Sequence, residues 1–374
     1  MRSSVKRSRA KKIALSFLAL AGAWVLFILF FVLGCTFVQP PFSAKPKASK
    51  EQGNTATDIG TNRRPEEDTY FTYPEWYIVY SYQERADFLE RNLPSGFPHF
   101  GSIAQYWRGY CFVCGLTHSR HEFNAGDHVM LLVIGSSFSV EYAIRGAYEG
   151  SVGKLSEWSS SHQAVEEDAY AYRVARDYAD FVNIRPFYEF SFARRLQGLW
   201  KETSLWGPHP ARKWERKAIL SLDYGLEAVY AWVLEKGSHA VYGVEPSDTY
   251  AWIENAPDSV WQENPRIRKV KEVGARSYIA VFPRYQEFTQ LAVKLARQDV
   301  HFVEVAGNNE ILVTAITPQD WKYDLKEADF LFATDMLTQP NMKRIAAECP
   351  VSSLHLVLNG LGGRGFKVEH VYDY

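Results

Sequence analysis

Hydrophobic and polar positions divide the chain into three stretches with different periods. In the first, from Ile13 to Val38, apolar residues run on with no charged side chain among them. About 20 such residues span a bilayer, where only a helix satisfies every backbone N–H and C=O internally. The segment therefore predicts a single transmembrane helix, stopped by Pro40 and Pro41. It is longer than the roughly 7–15 apolar residues of a cleaved signal sequence. Val32-Leu33-Gly34-Cys35 has the outline of a degenerate lipoprotein cleavage box, which would place a lipid on Cys35, although Leu33 is bulky for that site. Arg2, Lys6, Arg7, Arg9, Lys11 and Lys12 precede the helix, and only Lys45, Lys47 and Lys50 follow it closely. The positive-inside bias then keeps the N-terminus cytoplasmic and puts the body outside, in the periplasm of a bacterial inner membrane.

The second stretch, residues 70–243, carries helical spacing. Thr72-Tyr73-Pro74-Glu75 has capping-box form, with proline at the first helical position. Further helices are expected from Ser102, from His128 to about Tyr148, from Gln163 to Phe181, from Phe187 to Trp200 and from Arg212 to Lys236, the last stopped at Gly237.

In the third stretch, residues 249–374, the period shortens. Ser277 to Phe282, His301 to Val305, Glu310 to Ile316, Phe330 to Thr334, Leu354 to Leu358 and Phe366 to Tyr372 read as strands. Gln286 to Arg297 and Asn341 to Glu348 read as helices. That order suggests a ferredoxin-like sandwich. The predicted fold class is thus an N-terminal single transmembrane helix, then an all-α domain, then an α+β (ferredoxin-like) sandwich. Its parts are a basic cytoplasmic N-terminus (1–12), the transmembrane helix (13–38), a flexible tether (39–68), a helical membrane-proximal domain (70–243) and an α+β C-terminal domain (249–374). No internal repeat is visible in the sequence.

A formal net charge of −1 gives no reason to expect nucleic acid as a partner. With 11 Trp, 22 Tyr and 23 Phe the chain is rich in side chains that suit interfaces and membrane boundaries as well as cores. Its four cysteines are too sparse for a disulfide scaffold. The one bridge this spacing suggests is Cys111–Cys114.

Cys111, Cys114, His118 and His121, with His128 shortly after, are ligand types for a transition metal. On one regular helix, however, the rise of 1.5 Å per residue spreads the four over about 15 Å. Ile103, Trp107 and Tyr110 continue the same stripe, so buried thiols in a core-facing helix are the simpler reading. Gly360-Leu361-Gly362-Gly363-Arg364-Gly365 matches GxGxxG, but too little chain follows for a dinucleotide unit, and a hairpin loop accounts for it better. Glu141, Asp223 and Glu227 interrupt otherwise apolar helices. Buried carboxylates need partners or a raised pKa, and Arg145, Arg216 and Lys217 are available to pair with them. The three are the candidate catalytic residues, in a cavity among helices. A di-iron site would need Glu-x-x-His on two helices, and no histidine has a glutamate three residues before it. Val129 to Val140 is shorter than a span, which leaves a core or re-entrant role. Arg194, Arg195, Trp200, Arg212, Lys213 and Trp214 mix basic and aromatic side chains as a headgroup-facing surface does.

No nucleophile-elbow, zincin or P-loop pattern occurs. The sequence therefore points first to a membrane-anchored extracytoplasmic accessory protein, probed by neither nucleic acid nor nucleotide, with a protein partner. A metal or thiol-redox protein using the cysteine–histidine cluster comes second, and an enzyme using the three carboxylates third.

Overall fold

The computed structural model describes residues 68–118, 125–241 and 247–373, together with Gly22 and Cys35. Apart from those two, both helical, the expected transmembrane segment lies outside the described residues, as do residues 1–12 and 39–67. The rest is a helical region followed by two four-stranded antiparallel sheets.

The helical region comprises α1 (Asp68–Leu89), α2 (His99–His118), α3 (Ala125–Tyr148), α4 (Lys154–Ser159), α5 (Glu166–Val182), α6 (Phe192–Glu202) and α7 (Pro210–Val241). Several boundaries differ from the sequence expectation. Helix α1 starts before Thr72, so Pro74 lies inside it and the expected capping box is not its start. A π-helical turn, Glu149–Gly153, joins α3 to α4 without a break. Helix α7 runs on through Gly237, which the sequence expectation took as its stop.

Helix α1 is apolar on more than one side, as a helix enclosed by other elements must be. Tyr73, Tyr77 and Tyr80 follow the i, i+4, i+7 spacing of one face and are all buried. Ser81 and Tyr77 turn toward the other helices, donating to Tyr142 and to Gln105 at 3.1 Å each. Helix α3 comes close to α2 because position 135 is glycine: a Cβ there would meet the Tyr106 ring at 2.1 Å.

The strands are β1 (Asp248–Glu254), β2 (Arg268–Gly274), β3 (Ser277–Pro283), β4 (His301–Val305), β5 (Glu310–Pro318), β6 (Asp329–Asp335), β7 (Met342–Pro350) and β8 (Lys367–Val371). Three helices accompany them: α8 (Ser259–Glu263), α9 (Gln286–Arg297) and α10 (Leu354–Gly363). The sheet orders are β2-β3-β1-β4 and β6-β7-β5-β8. Each sheet is thus made by three strands, a helix (α9 or α10) and a closing strand, joined in the same order. This is a repeat of topology that the sequence conceals.

It also replaces the expected ferredoxin-like order. The segment Asn341 to Glu348, read as helix, lies almost wholly in β7, and Leu354 to Leu358, read as a strand, with most of the glycine run read as a hairpin loop, forms α10. The β7 segment, MKRIAAECP, has helix-forming composition. Pairing along the whole of β5 overrides that propensity. Strands β1 and β2 went unread; β2 is an exposed edge strand bearing Lys269 and Lys271, without a buried face to set its pattern.

One core holds the inward faces of both sheets together with α9 and α10. A second joins the outer face of the β5–β8 sheet to α1, α2 and α3, through Leu312, Leu331, Phe332, Ala346 and Tyr372. Trp76 of α1 stacks on His370 at 3.6 Å, and Tyr80 shares a hydrogen bond with Tyr372 at 3.0 Å. Burial, with the Arg284 charge beside it, pushes His370 well below the usual histidine range, so it is neutral at pH 7.

Candidate functional site

Helix α3 buries Leu131, Phe138 and Tyr142, which leaves Glu141 and Arg145 on the neighbouring face, one turn apart. Helix α7 sets Asp223 and Glu227 one turn apart in the same way. Arg145 reaches between the two helices and gathers all three carboxylates. It donates to Asp223 at 2.9 and 3.2 Å, to Glu227 at 3.1 Å and to Glu141. The Tyr82 hydroxyl of α1 donates to Glu141 at 3.0 Å. Arg85, also on α1, borders two smaller cavities that Arg145 and Asp223 border as well.

Three carboxylates against two guanidiniums leave a surplus of one negative charge if all are ionised. Burial first, and then the Glu141 charge, push Glu227 up to about 8 against the pull of Arg145 and Arg85. The cluster therefore holds a proton at neutral pH.

A cavity of about 290 Å³ opens beside it. Glu141, Glu227 and Tyr82 stand at its polar side, and Ile78, Ile134, Phe138, Tyr178 and Phe187 line its apolar walls. Tyr230 stacks on Phe187 at 5.8 Å and completes the aromatic wall. Arg185 and Glu75 also border it.

The outer faces of the same two helices are apolar and uncovered. Val129, Val133, Val140 and Ile144 of α3, and Leu222, Leu226, Val229 and Val233 of α7, are each 46–66% exposed. Ile144, Leu222 and Leu226 border one shared cavity, so the two stripes adjoin. By length and composition the helical stretch Ala125–Ser159 is apolar enough to cross a membrane, with mean hydropathy 1.3. Its inner face, however, is packed into the body.

The structure thus brings together the three carboxylates that the sequence singled out, and of the three bases available it chooses Arg145. Tyr82 and Arg85 carried no signal, because α1 lies far from α3 and α7 in sequence.

The cysteine–histidine set is not assembled. Cys111 is disulfide-bonded to Cys35, not to Cys114, and a sulfur in that bond cannot ligate a metal. Among the described residues no cluster of His, Cys, Asp and Glu suits a metal ion. Cys114 remains a thiol, raised to about 11 by burial and so protonated, with His128 3.8 Å away. His118 is exposed, and His121 lies outside the described residues. The same bond removes Cys35 as a lipid attachment point, since a thioether needs its sulfur.

The expected basic surface is divided. Arg194 is exposed, and Trp200, Trp206 and Trp214 form an exposed cluster with ring separations of 6.2 and 6.3 Å. Arg195 pairs with Asp177 at 2.9 Å. Arg212 and Lys213 are buried: Arg212 pairs with Asp168 and Glu215 at 3.0 Å each, and Lys213 with Glu166 and Glu167 at 3.1 Å each. Most of those acids come from α5, so reading residues 187–217 alone could not reveal them.

Comparison with protein-family models, with curated proteins and with solved structures finds no match to this chain.

Proposed function

We propose that the chain is a single-pass protein of the inner membrane, with a cytoplasmic N-terminus, whose body rests on the periplasmic bilayer surface as an accessory protein for a protein partner. The observation that carries this reading is the Cys35–Cys111 bond. Disulfides persist in oxidising compartments, which favours the periplasmic side. Cys35 stands three residues before the end of the apolar run, so the bond fastens α2 to the outer end of the span. The intervening chain becomes a closed loop instead of a free tether, and the body stays at the membrane. There the apolar stripes of α3 and α7 meet lipid, and the Trp200, Trp206 and Trp214 cluster suits the headgroup layer.

A protease site placed between residues 45 and 60 tests this in isolated membranes. After cleavage the body should migrate with the N-terminal segment on a non-reducing gel and separate on adding reductant. A body that separates without reductant, or a C-terminal reporter active in the cytosol, overturns the reading.

The convergence of Glu141, Asp223 and Glu227 supports a second reading, an enzyme in which the protonated Glu227 serves as general acid.

A further inference from the structure

We infer that the cavity between α1, α3, α5 and α7 binds an amphiphile with an ammonium head. Its lining combines two chemistries. Glu141 and Glu227 face the space with the Tyr82 hydroxyl beside them, aliphatic and aromatic walls make up most of the rest, and Glu75 and Arg185 also border it. Around the acids, Tyr82, Phe138, Tyr178 and Tyr230 present rings to the same volume. Carboxylates together with π faces recognise an organic cation, because both favour positive charge and the rings also accept its methylenes.

The cluster is short of one positive charge, counting Arg145 and Arg85 against Glu141, Asp223 and Glu227. The charges acting most strongly on Glu227 are in that count, from α1, α3 and α7; α5 contributes the neutral phenol of Tyr178, and adding Glu75 and Arg185, which also border the cavity, one of each sign, leaves the balance unchanged. An arriving ammonium supplies the missing charge and displaces the proton that Glu227 otherwise holds: R–NH3+ and Glu–COOH give the ion pair and one H+ released to solvent. A neutral or anionic ligand of the same length gains nothing from this exchange. About 290 Å³ accommodates a chain of six or so carbons with its head. The cavity lies beside the exposed stripe, since Ile134 adjoins Val133 and Tyr230 adjoins Val229, so a ligand can come from the lipid side or from water.

The test uses the full chain in nonionic detergent and hexylammonium, 1-hexanol and hexanoate as probes, followed by calorimetry at pH 7.5. Hexylammonium should bind at least tenfold more tightly than the other two, with a buffer-dependent enthalpy that reports proton release. Glu227→Gln should weaken hexylammonium about tenfold while leaving hexanol unchanged. Tyr230→Ala, at the exposed rim and outside the charged cluster, should weaken all three probes, hexylammonium at least as much as the others, and so tests the cavity without touching the acids. Equal binding of hexanol and hexylammonium, or wild-type affinity in both variants, overturns the proposal. Nanodiscs rich in ethanolamine headgroups that compete with hexylammonium, where phosphoglycerol ones do not, would identify the source as lipid; no competition from either, with hexylammonium still bound, would identify it as a soluble amine. This outcome is independent of the gel experiment on Cys35, which tests the topology alone.

Discussion

Two arginines, Arg145 and Arg344, each hold carboxylates between elements, and they differ in how deeply those carboxylates are buried. Arg344 lies between α1 and the β5–β8 sheet, 1% exposed. It donates to Glu369 at 2.9 Å and to Glu84 at 3.1 Å, and Tyr80 covers the guanidinium at 4.3 Å. Its carboxylates come from the two elements it joins; they border a cavity of about 370 Å³ but are only 5 and 10% exposed. Arg145 serves three carboxylates, which remain 16–24% exposed and adjoin an open cavity. A deeply buried ion group acts as a fastener between layers. Both groups hold one acid more than their guanidiniums balance, and burial pushes Glu84 up as it does Glu227, so it is the greater exposure of the acids at Arg145 that lets a charge be exchanged there.

The largest effect should come from breaking the more deeply buried group. Arg344→Met leaves Glu84 and Glu369 buried and uncompensated, and a cost of about 3–5 kcal/mol is expected, read as a drop in denaturation midpoint. Arg145→Met should cost less, about 1–2 kcal/mol, because water reaches its carboxylates and Glu227 already holds a proton. Equal losses would erase the distinction between the two sites.

A pH dependence sharpens the contrast. The folded-state pKa of Glu227, about 8, lies above that of an unfolded glutamate. Between the unfolded value and about 8 the native state holds a proton that the unfolded chain has lost, so stability falls as pH rises through that window. Glu227→Gln removes this dependence. Relative to wild type it should gain about 4 kcal/mol on going from pH 5 to pH 9, measured by urea denaturation at both values. A parallel shift with no change in pH profile would mean that Glu227 does not carry the proton.

The smallest change, Tyr82→Phe, deletes one hydrogen bond to Glu141. About 1 kcal/mol should be lost, with the fold unchanged by circular dichroism. A loss as large as that of Arg344→Met would show the Arg145 group to be a fastener as well.

Much of the helical region was legible because its periodic segments are long. The carboxylates were legible too, since a charge in an apolar run such as VIGSSFSVEYAI stands out whatever lies around it. The geometry at Arg145 was not, because its parts come from α1, α3 and α7. The cysteine pairing failed for the same reason. Cys111 and Cys114 are neighbours in sequence, but its disulfide partner, Cys35, lies 76 residues away.

The sequence by itself determined the apolar N-terminal run with its leading cations, the helical character of the middle of the chain and the identity of the three interrupting acids. Each follows from local solvation or periodicity, which neighbouring residues settle among themselves. Tertiary structure alone decided that β7 is a strand, that the sheets repeat one topology, that Arg212 and Lys213 point inward, and that one arginine gathers three acids. Those outcomes depend on which distant surfaces exclude water together, and sequence spacing does not encode that.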